Sequence, residues 1–243
     1  CSKGHIFFVN QTKNFQNYKG NFILTHFPFL LFLNTFVASA LAKDFKESLK
    51  LAQALDDDGF LDEALEIWKE LSTTTTNSNL DIYVSLKLGT TYLKLKQSHK
   101  SINTLKAISE SHPDSFDANF HFANSLSATK NFSAAIKPYS ITTTLKPDEG
   151  LSYVGLGLSF FGVGDSKKAI AAILKANLLF KKKKNIAWHR DTRVMISQIR
   201  SFSKFPPHFS SLWLNNNLKV VHDTYEKAIF NSNQYLSPGS IYN

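Results

Sequence analysis

Few residues of this 243-residue chain stand at spacings that could do chemistry, and each such group has a plainer reading beside it. His189-Arg190-Asp191 has the order of a kinase catalytic loop, where the aspartate takes a proton from a hydroxyl, but no Gly-rich loop, strand lysine or Asp-Phe-Gly accompanies it. Gly155-x-Gly157 and Gly162-x-Gly164 could cradle a phosphate if a strand preceded them; none does, and close helix packing with a turn explains them. Asp56, Asp57 and Asp58 could draw calcium. An EF-hand loop needs alternating acids, a central glycine and a closing glutamate, so these three read instead as a solvated turn. The eight histidines form no His-x3-His pair and have no glutamate or cysteine at ligand spacing, so neither metal nor cofactor is expected. No serine sits in Gly-x-Ser-x-Gly, and the sole cysteine, Cys1, excludes an intrachain disulfide framework or a thiolate zinc site. Enzymatic activity is therefore not expected.

Charge offers one further chemistry. The formal net charge is +9, and residues 181–204 carry eight Lys or Arg against Asp191, so most of the excess lies in one segment. With Phe180 before them and Trp188 after them, the four lysines 181–184 could meet the phosphates of nucleic acid and stack a base, or meet an anionic membrane. The plainer reading is a solvated connection between helices, with Trp188 packed inward.

What must position all of these is a period. Pro113 and Pro147 are 34 residues apart, as are Gly89 and Ala123, Ser101 and Ala135, and Ala135 and Ala169. On that register Leu88-Gly89-x-x-Tyr92, Phe122-Ala123-x-x-Leu126 and Leu156-Gly157-x-x-Phe160 align, followed by Ser101-x3-Leu105, Ala135-x3-Tyr139 and Ala169-x3-Ile173. Each unit carries two apolar stripes at helical spacing, broken at Lys130-Asn131 or Gly164-Asp165, which predicts a helical hairpin. Small residues fit where two helix backbones approach closely, and a proline closes a unit by disfavouring helix in the residue before it. Leu51-Ala52-x-x-Leu55, a turn at Gly59 and Ala64-x3-Trp68 form a more divergent first hairpin, separated from the rest by a polar loop over Ser72–Asn79.

This pattern resembles the tetratricopeptide repeat (TPR): Trp-x2-Leu-Gly-x2-Tyr, then Ala-x3-Phe, then Pro, over about 34 residues. The resemblance implies an all-α fold, an α-solenoid of about four hairpins, whose first helices line a concave groove that binds other proteins. Carried onto this chain, the lining is Leu49 and Gln53, then Tyr83, Leu86, Thr90 and Leu93, then Asp117, Phe120, Asn124 and Ser127, then Leu151, Val154, Leu158 and Phe161. Partner contact is expected above all from Tyr83, Leu86, Thr90, Leu93, Phe120, Asn124, Val154, Leu158 and Phe161. Some family members grip a peptide's terminal carboxylate with lysine, asparagine and arginine side chains. Here Asn124 keeps an asparagine position, but Phe120 replaces the lysine one turn before it and Leu151 and Gly155 take the cationic positions, so no such clamp is expected.

The two ends are read separately. Residues 1–20 are polar, aperiodic and expected to be disordered; 21–37 are apolar and end in Ala38-Ser39-Ala40-Leu41-Ala42, the layout of a secretory signal peptide. The chain opens on Cys1 and its sole methionine is Met195, as a fragment or a frame lacking its start would show. After Phe180 the register stops, yet Trp188, Thr192, Met195, Ile196, Ile199 and Phe202 keep helical steps, as do Leu214, Leu218, Val221, Tyr225, Ala228 and Ile229. The second of these helices is expected either to cap the last hairpin or to fold into the groove, because an empty apolar groove is costly. The sequence thus divides into an N-terminal extension (1–42), a TPR-like domain (43–181) and a basic region with capping helices (182–243), ending in a frayed tail around Pro238-Gly239. The function expected is an exported, periplasmic or envelope, non-catalytic scaffold for a protein or peptide partner. The alternatives are an intracellular or membrane-surface adaptor using 181–204, or the recruiting arm of a longer enzyme.

Overall fold

The computed structural model describes residues 45–75, 78–231 and 235, and the signal-peptide layout, the polar N-terminus and the tail at Pro238-Gly239 lie outside them. Asp44–Asn243 forms one compact unit. Its described residues are helical, without strands: α1 (Phe45–Asp58), α2 (Leu61–Thr74), α3 (Ser78–Lys94), α4 (Ser98–Ser111), α5 (Phe116–Ala128), α6 (Phe132–Leu145), α7 (Gly150–Gly162), α8 (Ser166–Lys182), α9 (Ile186–Phe202), a 3₁₀ turn (Pro207–Ser210) and α10 (Ser211–Asn231). Helices α1 to α8 pair as four hairpins, each packed on the next, which is the α-solenoid that the period predicts. The polar loop is shorter than expected, because α2 runs on to Thr74 and α3 starts at Ser78.

The period is visible in the backbone as well as in the side chains. Lys96, Lys130 and Gly164, again 34 residues apart, all take positive φ (60°, 63° and 87°) and reverse the chain between the helices of a hairpin. At each, the N–H of the following residue donates to a carbonyl five residues back: Gln97 to Tyr92 (2.8 Å), Asn131 to Leu126 (2.8 Å) and Asp165 to Phe160 (2.9 Å). This is the hydrogen-bonded stop that satisfies the last carbonyls of a helix. Side-chain caps start several of the elements. Ser115 Oγ accepts from the Ala118 N–H (3.3 Å), Asp165 Oδ1 from Lys168 (3.0 Å) and Asn185 Oδ1 from Trp188 (3.1 Å).

Close packing follows from the small residues. A Cβ on Gly157 would stand 2.6 Å from Ile173 Cγ1 and 3.0 Å from the Ala169 carbonyl oxygen, so α7 and α8 touch where the sequence places Gly157 and Ala169. The apolar side chains form one core that includes Trp68, Leu105, Tyr139, Ile173 and Ile199. Pro138 sits inside α6, where a proline removes one hydrogen bond, yet the helix continues to Leu145. Beyond α8 the chain reverses once more at Lys184 (φ 56°), and α9 packs on α8, extending the stack by one helix. Asn177 Nδ2 fixes that joint by donating to the His189 carbonyl and Thr192 Oγ1, both at 2.8 Å. Then α10 turns away from the stack and lies against α5 and α7. Of the two places the sequence leaves open for this last helix, the structure selects the groove.

Candidate protein-interaction groove

The groove is the face of the first helices, and α10 fills it with one stripe. Leu214, Leu218, Val221, Tyr225 and Ile229 are buried at steps of three and four residues, the spacing that puts side chains on one side of a helix. At its N-terminal end Trp213 meets Phe161 of α7 edge-on (ring centres 5.5 Å apart) and donates its indole N–H to Gln198 Oε1 of α9 (2.6 Å). Midway, the Tyr225 ring lies 3.9 Å from that of Phe120 and 5.6 Å from that of Phe116. Phe230 closes the far end, edge-on to Tyr83 of α3 at 5.5 Å. Burying aromatic and aliphatic side chains of this size is worth about 1.5–3 kcal/mol each, so the stripe is a substantial apolar anchor.

Two polar devices fix the register of that anchor. The Tyr225 and Tyr235 hydroxyls both donate to the buried Asp117 carboxylate, one to each oxygen. Burial first, and the Asp117 charge second, push the Tyr225 phenol far above its ordinary range, so it remains a donor. The second device is ionic. Lys87 and Lys94 Nζ each donate to Asp56 at 2.9 Å, and Lys94 also reaches Glu226 of α10 at 3.2 Å. Burial would raise the Asp56 carboxyl, but the two lysines outweigh it and hold the group below its ordinary value. Lys87 Nζ stands 4.1 Å above the Phe230 ring, adding a cation–π contact across the same joint. Asp56 is therefore no solvated turn residue. Its side chain is fully buried, an inward anchor for α3 and, through Lys94, for α10.

The expected contact residues have unequal fates. Tyr83, Phe120 and Phe161 lie under α10, and burial raises the Tyr83 phenol to about 12 against the effect of its Gln53 hydrogen bond. Leu93 and Asn124 line a cavity of about 460 Å³ beside α10, shared with Tyr139, Leu218, His222 and Glu226. Asn124 Oδ1 accepts from the Tyr139 hydroxyl at 2.6 Å, while its Nδ2 has no partner among the described residues. Leu86, Val154 and Leu158 are wholly buried in the core, and Thr90 turns its hydroxyl back to the Lys87 carbonyl (3.0 Å). Sequence reasoning missed His121, Lys87 and Lys94 as groove residues, although each follows an expected lining residue by one position.

His121 is the least satisfied of them. It is 1% exposed, neither ring nitrogen has a hydrogen-bond partner among the described residues, and three α10 rings surround it: Tyr225 (5.7 Å), Phe230 (5.8 Å) and His222 (6.2 Å). The basic run presents a different surface from the one a nucleic-acid reading needs. Phe180 and Trp188 stack on each other inside the protein at 5.5 Å, so neither ring is offered to a base, and Lys183 pairs with Asp148 at 3.0 Å. Among the described residues no helix is long and apolar enough to cross a membrane.

No family model matches the chain, and neither does any curated protein. Solved structures do. "MamA MSR-1 C2" aligns with a TM-score of 0.51 at 25% identity, covering 59% of this chain and 81% of that one. "MamA RS-1 ArsTM double mutant" aligns at 0.56 and 18% identity, covering 76% and 98%. "MamA 41-end from Desulfovibrio magneticus RS-1" aligns at 0.51 and 17%, covering 66% and 97%. These likenesses support a TPR-like helical repeat fold.

Proposed function

We propose that this protein is a non-catalytic interaction scaffold whose first-helix groove takes an amphipathic helix from a protein partner, in competition with its own α10. The carrying observation is α10 itself. It lies on that face as a ligand would, with an apolar stripe from Leu214 to Ile229, a tyrosine hydroxyl on Asp117 and an acid facing Lys94. The partner segment would present the same chemistry: a bulky aliphatic or aromatic residue every three or four positions, a tyrosine near its C-terminal end and a carboxylate one position later. Export to a periplasm or envelope is part of this reading, supported by the layout of residues 21–42.

The test is helix exchange. A fluorescent peptide of residues 211–231 is titrated into the full chain and into a Tyr225→Ala chain, whose own helix is weakened. Capture by both, tighter for the variant, is expected. Absence of binding to either chain overturns the reading, since the peptide is the one ligand whose fit is visible in the groove.

A further inference from the structure

We propose that His121 makes the seating of α10 acid-labile: protonating its imidazole, in a cage where neither nitrogen has a partner among the described residues, drives the helix from the groove. The inference rests on the reading that α10 is a displaceable occupant, and it adds the signal that displaces it.

The geometry is specific. His121 is on α5, but three of the rings that wall it come from α10, so α10 closes the cage around the imidazole. A charged imidazole there would have two N–H donors and, among the described residues, no acceptor for either, a penalty that leaving the groove relieves. The charged neighbours are mixed. From α10, His222 disfavours a positive charge on the ring while Glu226 favours one; Lys87 of α3 disfavours it and Asp117 on α5 favours it. Glu226 is already shared with Lys94, and the two Asp117 oxygens are occupied by Tyr225 and Tyr235. Neither carboxylate makes a hydrogen bond to the imidazole. Burial, and after it His222, depress the ring from 6.5 to about 4.

The sign follows from that depression. A histidine whose seated value lies below its free value is neutral in both states above about 6.5, so pH has no leverage there. Between 6.5 and about 4 the unseated state binds the proton and the seated one does not, so seating weakens as pH falls, by up to about tenfold per unit. Asp56 and Asp223 are held below 3.8, so those charges persist across the window.

The experiment uses the full chain. Hydrogen exchange of residues 211–231, corrected for intrinsic rates, is measured at pH 7.5, 6.0 and 5.0 in wild type, His121→Phe and His121→Leu. The opening equilibrium of α10 is expected to rise about 30-fold from pH 7.5 to 5.0 in wild type and to stay within about threefold in either variant. An unchanged opening in wild type overturns the proposal whatever the variants do. So does a rise that survives in a folded variant, which would assign it to another group. The readout needs no partner, so failure of the peptide to bind, with acid-dependent opening intact, would count against the scaffold reading alone.

Discussion

At the scale of single residues, a few buried polar groups hold apolar surfaces in register. Asp56 is the clearest, because its carboxylate answers two lysines, one of them only 5% exposed. Removing one partner of a buried pair leaves an uncompensated charge, which is worth far more than the pair contributes over an apolar substitute. Asp56→Ala should therefore lower the unfolding free energy by about 3–5 kcal/mol in urea titration at pH 7. A loss under about 1 kcal/mol would place Lys87 in water, against the structure. This residue also marks a limit of reading from sequence. In sequence, Asp56-Asp57-Asp58 reads as a solvated turn because nothing local distinguishes the first aspartate from its neighbours; Lys87 and Lys94, 31 and 38 positions later, pair with it in the structure. His121 was hidden in the same way, its cage being built from α10, about 100 positions along the chain.

At the scale of elements, the hairpin was legible and its turn chemistry only partly so. The small-residue pairs gave the helices and their contacts, since a repeated close approach demands a repeated small side chain: Gly157 over Ala169 and Ile173 is the sharpest case. Gly157→Leu should force α7 from α8 and cost about 1–3 kcal/mol or more, read as a lower urea midpoint. The left-handed turns carry the same 34-residue beat, but lysines at 96 and 130 conceal it where Gly164 announces it. A lysine there meets steric resistance that glycine avoids. Lys130→Gly is expected to raise stability by about 0.5–1 kcal/mol, and a loss would mean that the lysine side chain makes a contact outweighing its backbone strain. The stripe of α10 was also legible as a helix. Its destination was not, because an apolar stripe says that a helix must be covered and not by what; the Tyr225–Asp117 bond, spanning 108 positions, makes the choice.

At the scale of the whole molecule, Asp44–Asn243 combines two kinds of packing with different energetic standing. Helices α1 to α9 join neighbours in the sequence, each burying the stripe of the next, and such stacks gain stability from nearest-neighbour interfaces. Helix α10 is joined to the stack by a short link over Ser203–Pro206 and the 3₁₀ turn, and most of its stripe packs far back along the chain, beside a cavity and an imidazole that has no hydrogen-bond partner among the described residues. Those features predict that it opens at a lower free energy than the stack. The most direct test is native-state hydrogen exchange at pH 7.5, comparing residues 211–231 with 116–182. The expected result is that 211–231 opens with a lower free energy and little dependence on denaturant, while 116–182 exchanges only through larger unfolding. Equal protection of the two regions, lost together in one cooperative transition, would contradict a displaceable helix and make α10 a permanent part of the core.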